Sequence, residues 1–348
     1  MDNSSRTNEV IIALDCMGGD QAPKSVIMGA ELALSALLPK NKVFFKLYGN
    51  QNHINPLLQQ TKLLRQNSDL THTTQVVSAH EKPSVAIRIC RESSMQLAIN
   101  AVKTEQAIAM VSAGNTGALM AMSKIALRTI PQITRPAIAA ILPSIKGRSV
   151  MLDLGANVEC DATNLFEFAI MGEAFARIIL GIEKPIIGLL NIGSEETKGK
   201  DSIKLANTML KETDLPINYF GYIEANDIAE GTVDVIVTDG FSGNVVLKAI
   251  EGSAKLFKHF LKNAFSDSLI NKISYFLAKP ALKKLSTTAD PRLYNGAMFV
   301  GLNGIVVKSH GSMDHVGLAN SIKVAFELAN ADINKQIADE LLEIKSED

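Results

Sequence analysis

Five times along this chain a short apolar run ends in a polar, glycine-bearing turn and restarts as a helical pattern, and no other feature limits its fold so strongly. Residues 233–238, VDVIVT, read as a buried strand of the kind found in parallel sheets. The turn Asp239-Gly240-Phe241-Ser242-Gly243-Asn244 follows, and VVLKAIEG then fits the start of a helix. Residues 10–14 lead likewise into Asp15-Cys16-Met17-Gly18-Gly19-Asp20, and residues 107–111 into Ser112-Ala113-Gly114-Asn115-Thr116-Gly117. Residues 150–152 run into Asp153-Leu154-Gly155-Ala156-Asn157, and residues 186–190 into a turn spanning 191–199. Repeated strand–turn–helix units build a largely parallel sheet covered by helices. Parallel strands share one direction, so their C-terminal ends are expected to gather on one edge, where open α/β sheets bind ligands. The expectation is a single pocket lined by five polar turns. Free N–H groups at helix starts make phosphate its natural occupant.

The expected domain is single, covering residues 9–330 of 348, with neither linker nor low-complexity segment. A net charge of -1 gives no general attraction to nucleic acid. Cys16, Cys90 and Cys160 are far apart, which argues against a zinc site or disulfide framework and suits a reducing cytoplasm. The opening residues 1–8 are polar, are expected to be disordered and contain no signal-peptide core; no apolar run is long enough to span a membrane. Helices are expected over 25–38 and 84–102, strands over 43–49, 75–78 and 135–141, and an acidic amphipathic helix over 331–348.

The alternating pattern breaks at residues 254–286. Leu256, Phe257, Phe260, Leu261 and Phe265 share one helical face, and Leu269, Ile270, Ile273, Phe276 and Leu277 share another. Lys255, Lys258, Lys262, Lys272, Lys279, Lys283 and Lys284 surround them against one acid, Asp267, at the expected turn. Two readings stand: helices that pack their stripes on the core, or a protruding basic hairpin that meets a membrane or an acidic partner.

Named motifs fail on inspection. The segment GSEETKGK from Gly193 has one residue too many between its glycines for a P-loop, and Asp201 stands where Ser or Thr belongs. No G-x-G-x-x-G, G-x-S-x-G or H-E-x-x-H occurs. A dinucleotide site, an esterase elbow and a metal centre are therefore disfavoured, and no cofactor is expected. Of the scattered histidines, His310 sits in a glycine-rich turn, Ser309-His310-Gly311-Ser312, after the strand-like run GIVVK, where it can be structural or a proton donor. Cys16 has no cation beside it and reads as a small filler.

The segments IALDCMGGD, SAGNTGALMA, RPAIAA, MLDLGANVEC, LLNIGSEETKGK, TDGFSGNVVLKAIEG and GLNGIVVKSHGS, in this order, resemble the bacterial phosphate acyltransferases of phospholipid synthesis, the PlsX family. Cys16 departs from the small residue usual there. The resemblance implies transfer of an acyl group from acyl-[acyl carrier protein] to inorganic phosphate, with no metal or redox cofactor. It also implies a three-layer α/β/α fold like that of the isocitrate and isopropylmalate dehydrogenases, a homodimer, and a cytoplasmic enzyme peripherally associated with the membrane.

Phosphate itself is the nucleophile in such a reaction, so the site must supply alignment and oxyanion stabilisation. The residues expected to line phosphate or substrate are Asp15, Gly18, Gly19, Asn115, Thr116, Asp153, Asn157, Ser242 and Gly243. Asn244 and His310 are the further catalytic candidates, with Lys198 or Lys308 as the cation. Leu256, Phe260, Lys262, Phe276 and Lys279 are expected to dock anionic lipid, the carrier protein or both. The nearest rival is an enzyme that uses acyl-coenzyme A; a non-catalytic membrane scaffold would need the hairpin but not the turns.

Overall fold

In the computed structural model, which describes residues 9–345 except Asp267 and Ala289, eleven strands join one sheet. They are β1 (Val10–Asp15), β2 (Val43–Gly49), β3 (Ser68–His72), β4 (Ala109–Ser112), β5 (Ala137–Ser144), β6 (Gly147–Leu152), β7 (Ile186–Leu190), β8 (Asn218–Ile223), β9 (Val235–Val237), β10 (Ala297–Val300) and β11 (Ile305–Lys308). Their order is β3-β2-β1-β4-β11-β10-β5-β6-β9-β7-β8. Residues alternate between the two faces: Ile12 and Leu14 enter one core and Ala13 the other, as do Ala109 and Val111 against Met110. Helices Lys24–Leu37, Ala162–Leu180 and His315–Asn330 cover the first face, and Ser94–Lys103 and Thr116–Leu127 the second. The α/β fold with a largely parallel sheet is the one the repeats predict.

The direction of the strands is not. β10 pairs antiparallel with both β11 and β5, and β5 pairs antiparallel with β6. Every other named pairing is parallel. Three reversals leave β6, β9 and β7 running opposite to β1, β4 and β11. The turns after β1, β4 and β11 thus open towards one edge, and those after β6, β9 and β7 towards the other. The expectation of five turns on one edge is corrected: hydrophobic runs report burial, not direction.

Local differences have local causes. Residues 75–78 form no strand; β3 lies just before them. The helix expected over 84–102 is two, Pro83–Ile89 and Ser94–Lys103, because Ser93 caps the second by accepting from the Gln96 N–H. Ser242, Gly243 and Asn244, expected in a turn, lie inside the first turns of helix Gly240–Ala264, which Asp239 caps. Residues 1–8 and 346–348, for which a disordered tail and a helix end were expected, lie outside the described residues. The last helix is Ile333–Lys345, with Ile333, Ile337 and Leu341 buried in the first core.

Helices Gly240–Ala264 and Leu269–Thr288 form the hairpin, joined by an edge contact of the Phe265 and Tyr275 rings at 5.5 Å. Leu256, Phe257, Phe260, Ile270, Ile273, Phe276 and Leu277 are 54–75% exposed. Packing of these stripes on the chain's own core is therefore rejected. Asp267 and the side chains of Leu269, Lys272 and Lys284 lie outside the described residues. No described helix is long and apolar enough to cross a membrane.

Candidate active site

The turns after β1, β4 and β11 are knitted into one surface. The Asp20 N–H donates to the Gly311 carbonyl and the Ser309 N–H to the Ser112 carbonyl, both at 2.9 Å. A Cβ on Gly18 would lie 2.6 Å from both Asp15 Oδ2 and the Gly114 nitrogen, so only glycine lets the first two turns meet. Asp15, expected to touch substrate, is instead the post beneath them. It is fully buried and accepts from Ser94 Oγ and Ser112 Oγ, each at 2.6 Å. Burial pushes its carboxyl up against the pull of those serines.

Asn115 is likewise a fastener. Its Oδ1 caps helix Thr116–Leu127 by accepting from the Ala118 N–H, while Nδ2 donates to the carbonyls of Ser78, Ala79 and Glu81 at 2.9–3.2 Å. The side chain has no donor to spare for a ligand. Among the described residues the N–H groups of Gly18, Gly19, Thr116 and Gly311 donate to no protein acceptor, so this surface keeps free donors.

Lys308 ends β11 beneath that surface. It is buried, and its Nζ donates to the Ser309 carbonyl but makes no ion pair among the described residues. Burial lowers its pKa to about 8, against the more distant charges of Asp15 and Asp20. A buried ammonium with so few partners is costly until an anion reaches it.

His310 follows. Its N–H donates to Asn295 Oδ1 at 2.9 Å, and its Nδ1 lies 2.9 Å from Ser312 Oγ and 3.3 Å from the Ser312 N–H. The backbone donor assigns Nδ1 as acceptor, so a neutral ring carries its proton on Nε2. Burial and then Lys308 hold the imidazole below its ordinary pKa. Asn295, which the sequence did not single out, fixes this turn. It is buried, and its Nδ2 bonds Ser309 Oγ, the Gly317 carbonyl and Ser321 Oγ, each at 2.8 Å. No spacing rule points to it.

The other candidates lie towards the opposite edge. Asp153 accepts from the N–H groups of Ile138, Gly155, Ala156 and Asn157 and from Asn157 Nδ2, at 2.7–3.1 Å. The anion nest of this turn is filled by the chain's own carboxylate. Asp153 and Asn157 are thus committed to holding this turn. Gly243 is too: a Cβ there would collide with the Asp153 carbonyl oxygen. The Ser242 N–H is taken by Asp239 at 2.7 Å, and Asn244 is exposed beside Gly155. Lys198 is paired with Glu195 at 2.8 Å and folds over Gly193, while Lys200 pairs with Asp239 at 2.9 Å. Burial works against the Asp239 carboxylate, but hydrogen bonds from Ser242 and Lys200 hold it below its ordinary pKa.

A family model described as "Fatty acid synthesis protein" matches residues 10–336. The chain belongs to this family of phosphate acyltransferases. It is 49% identical to the phosphate acyltransferase of Rhodospirillum rubrum, covering 97% of this chain and 96% of that one. It is 52% identical to that of Rhodospirillum centenum, covering 96% and 94%. The fold is shared with the EutD phosphotransacetylase from Staphylococcus aureus and a branched-chain phosphotransacylase from Enterococcus faecalis. Each has a TM-score of 0.57 at 15% identity; the alignments cover 92% of this chain and 94% and 99% of those chains. The protein is an acyltransferase, and two phosphotransacylases share its fold.

With Lys308 lowered to about 8, anion binding that depends on its charge weakens as pH rises through that value. The acyltransferase kcat/KM for phosphate should therefore fall above pH 8, by up to about tenfold per unit. Lys308→Arg, charged throughout, should move this limb above pH 10, and Lys308→Met should abolish it while raising the phosphate KM. A limb near pH 8 that survives in Lys308→Met would assign the titration to another group.

Proposed function

We propose that the enzyme makes acyl phosphate from acyl-[acyl carrier protein] and inorganic phosphate, as an early step of glycerophospholipid synthesis. The observation that carries this reading is the buried, ion-pair-free Lys308 under glycine-rich turns with unused N–H donors. Phosphate supplies the charge that Lys308 lacks, and the N–H groups orient it. A phosphate oxygen attacks the thioester carbonyl, the new C–O bond forms, and the tetrahedral oxyanion accepts a hydrogen bond from His310 Nε2–H. Collapse breaks the C–S bond and the thiolate takes a proton from His310 in its imidazolium form, which the bound phosphate dianion favours. Nothing in these steps needs a metal or redox cofactor. Phosphate-dependent loss of thioester should be faster with acyl carrier protein than with coenzyme A as donor. Equal rates would favour the coenzyme A reading, and no phosphate-dependent loss from either would leave the scaffold reading.

The enzyme is proposed to act as a homodimer. Ser242, Asn244 and Lys198 face away from Lys308 and His310 within one chain, and a two-fold partner can turn its second edge towards the first. Phe241 and Val245 stand exposed four residues apart at the start of helix Gly240–Ala264, as an unpartnered patch for that contact. A complementation test separates the arrangements. His310→Gln and Lys198→Ala proteins, each inactive, should on mixing and reassembly recover about a quarter of wild-type activity, because half the dimers carry one intact composite site. Sites built within single chains would recover none.

The hairpin is proposed to dock the cytoplasmic enzyme on anionic membrane, where an acyl product can leave without crossing water. Its exposed stripes suit the interface, and each lysine near the surface contributes roughly 1 kcal/mol of attraction. Phe260→Asp with Phe276→Asp should leave a folded enzyme that no longer sediments with anionic liposomes. Undiminished sedimentation of the folded variant would discard the membrane role and leave the carrier protein as the partner of Lys262 and Lys279.

A further inference from the structure

A second anion-accepting place lies outside the turns that hold Lys308. A groove of about 660 Å³ opens beside the turn after β6, lined by Arg135, Val158, Asp161, Asn164 and Ser202 among others. Arg135 forms one wall. Its Nη1 donates to the Glu159 carbonyl at 3.1 Å, and no carboxylate lies within ion-pair distance among the described residues. The rest of its donor fork is unspent.

The backbone under Arg135 is held by a device that ordinary surface loops lack. Glu167, buried in helix Ala162–Leu180, accepts from Thr134 N–H at 3.0 Å and Thr134 Oγ1 at 2.8 Å through Oε2. The Arg135 backbone N–H also favours the charged form of this carboxylate, against its burial. Asn164 Nδ2 donates to Thr134 Oγ1 at 2.7 Å. A buried carboxylate is expensive to keep, and here its hydrogen bonds all serve to fix the two residues that present one guanidinium.

The facing wall adds to the same preference. Ser202 is the second residue of helix Asp201–Glu212, whose N-cap, Lys200, makes no side-chain capping bond. The first N–H groups of that helix therefore remain free, with the positive end of its dipole at the groove. Two acids also line the groove. Asp161 is turned into its own helix, accepting from the Asn164 N–H at 2.8 Å, and Glu159 is exposed.

We propose that this groove binds the phosphate ester of the acyl donor's phosphopantetheine arm, with Arg135 as the contacting residue and Glu167 as the positioning residue that holds it. The assignment rests on the thioester donor class and on the two-fold composite site proposed above, since Arg135 and Lys308 lie towards opposite edges of the sheet within one chain. The arm is common to carrier protein and coenzyme A, so the groove does not choose between them; it distinguishes a phosphorylated arm from an unphosphorylated one.

Two measurements keep the groove and the reaction apart. In the first, 4′-phosphopantetheine and pantetheine are titrated calorimetrically into the intact protein. Wild type should bind the phosphorylated compound, and Arg135→Gln should weaken that binding about tenfold or more, without change in melting temperature. Glu167→Gln should weaken it in the same direction but less, since the guanidinium remains. In the second, acyl-phosphopantetheine and acyl-pantetheine are compared as donors. Arg135→Gln should raise the KM for the first and leave the second, and the KM for inorganic phosphate, at wild-type values. Wild type that binds both compounds equally or neither, or a variant that loses both donors alike, would overturn the assignment. Binding lost in Arg135→Gln while no donor reacts would uphold the groove and sink the proposed reaction.

Discussion

Three antiparallel pairings in an otherwise parallel sheet, β11 with β10, β10 with β5 and β5 with β6, govern where chemistry can occur in this protein. An odd number of reversals turns the second half of the sheet over relative to the first. Had the number been even, Asp15, Gly114, Asp153, Asp239 and His310 would have shared an edge. Instead Lys308 and His310 stand among the turns of one half, and Arg135 and Ser202 line a groove in the other.

Much of the architecture was legible because burial writes itself into short β-branched runs, and amphipathic helices into period 3.6. The sheet, its repeated turns and the unusual character of residues 254–286 all followed. Strand direction did not, since an apolar run reads the same whichever way its neighbour points. Nor did the sequence reveal which polar groups were already spent. Asp153 and Asn115 look like ligands of an anion because they carry the right atoms in the right kind of turn. Asp153 instead accepts five hydrogen bonds from its surroundings, and Asn115 donates three to the loop it fastens. Lys308 and His310 were visible as residue types, but the missing ion pair and the ring's orientation are properties of packing. Arg135 opened a segment read as a strand and lay in one of the family-like motifs, while Asn295 fell in no segment singled out; no local pattern marked the role of either.

Lys308 lies buried, while His310 beside it reaches the surface. Both are driven towards their neutral forms by desolvation, and the ammonium presses on the imidazole in the same direction. An arriving dianion reverses part of that pressure. In the proposed reaction, phosphate bound there would stabilise the charged form of the lysine and ease protonation of the histidine, so that one substrate prepares the acid the other needs.

The sheet is hydrogen-bonded without a gap from β3 to β8. Bending it at the middle would break ladder bonds between β10 and β5, each flanked by buried side chains such as Met298 and Ala139. A stiff plate of this kind cannot shut over its substrates by hinging. Whatever gating accompanies turnover is left to the segments that rim the plate, such as the 191–200 loop with its Glu195–Lys198 pair.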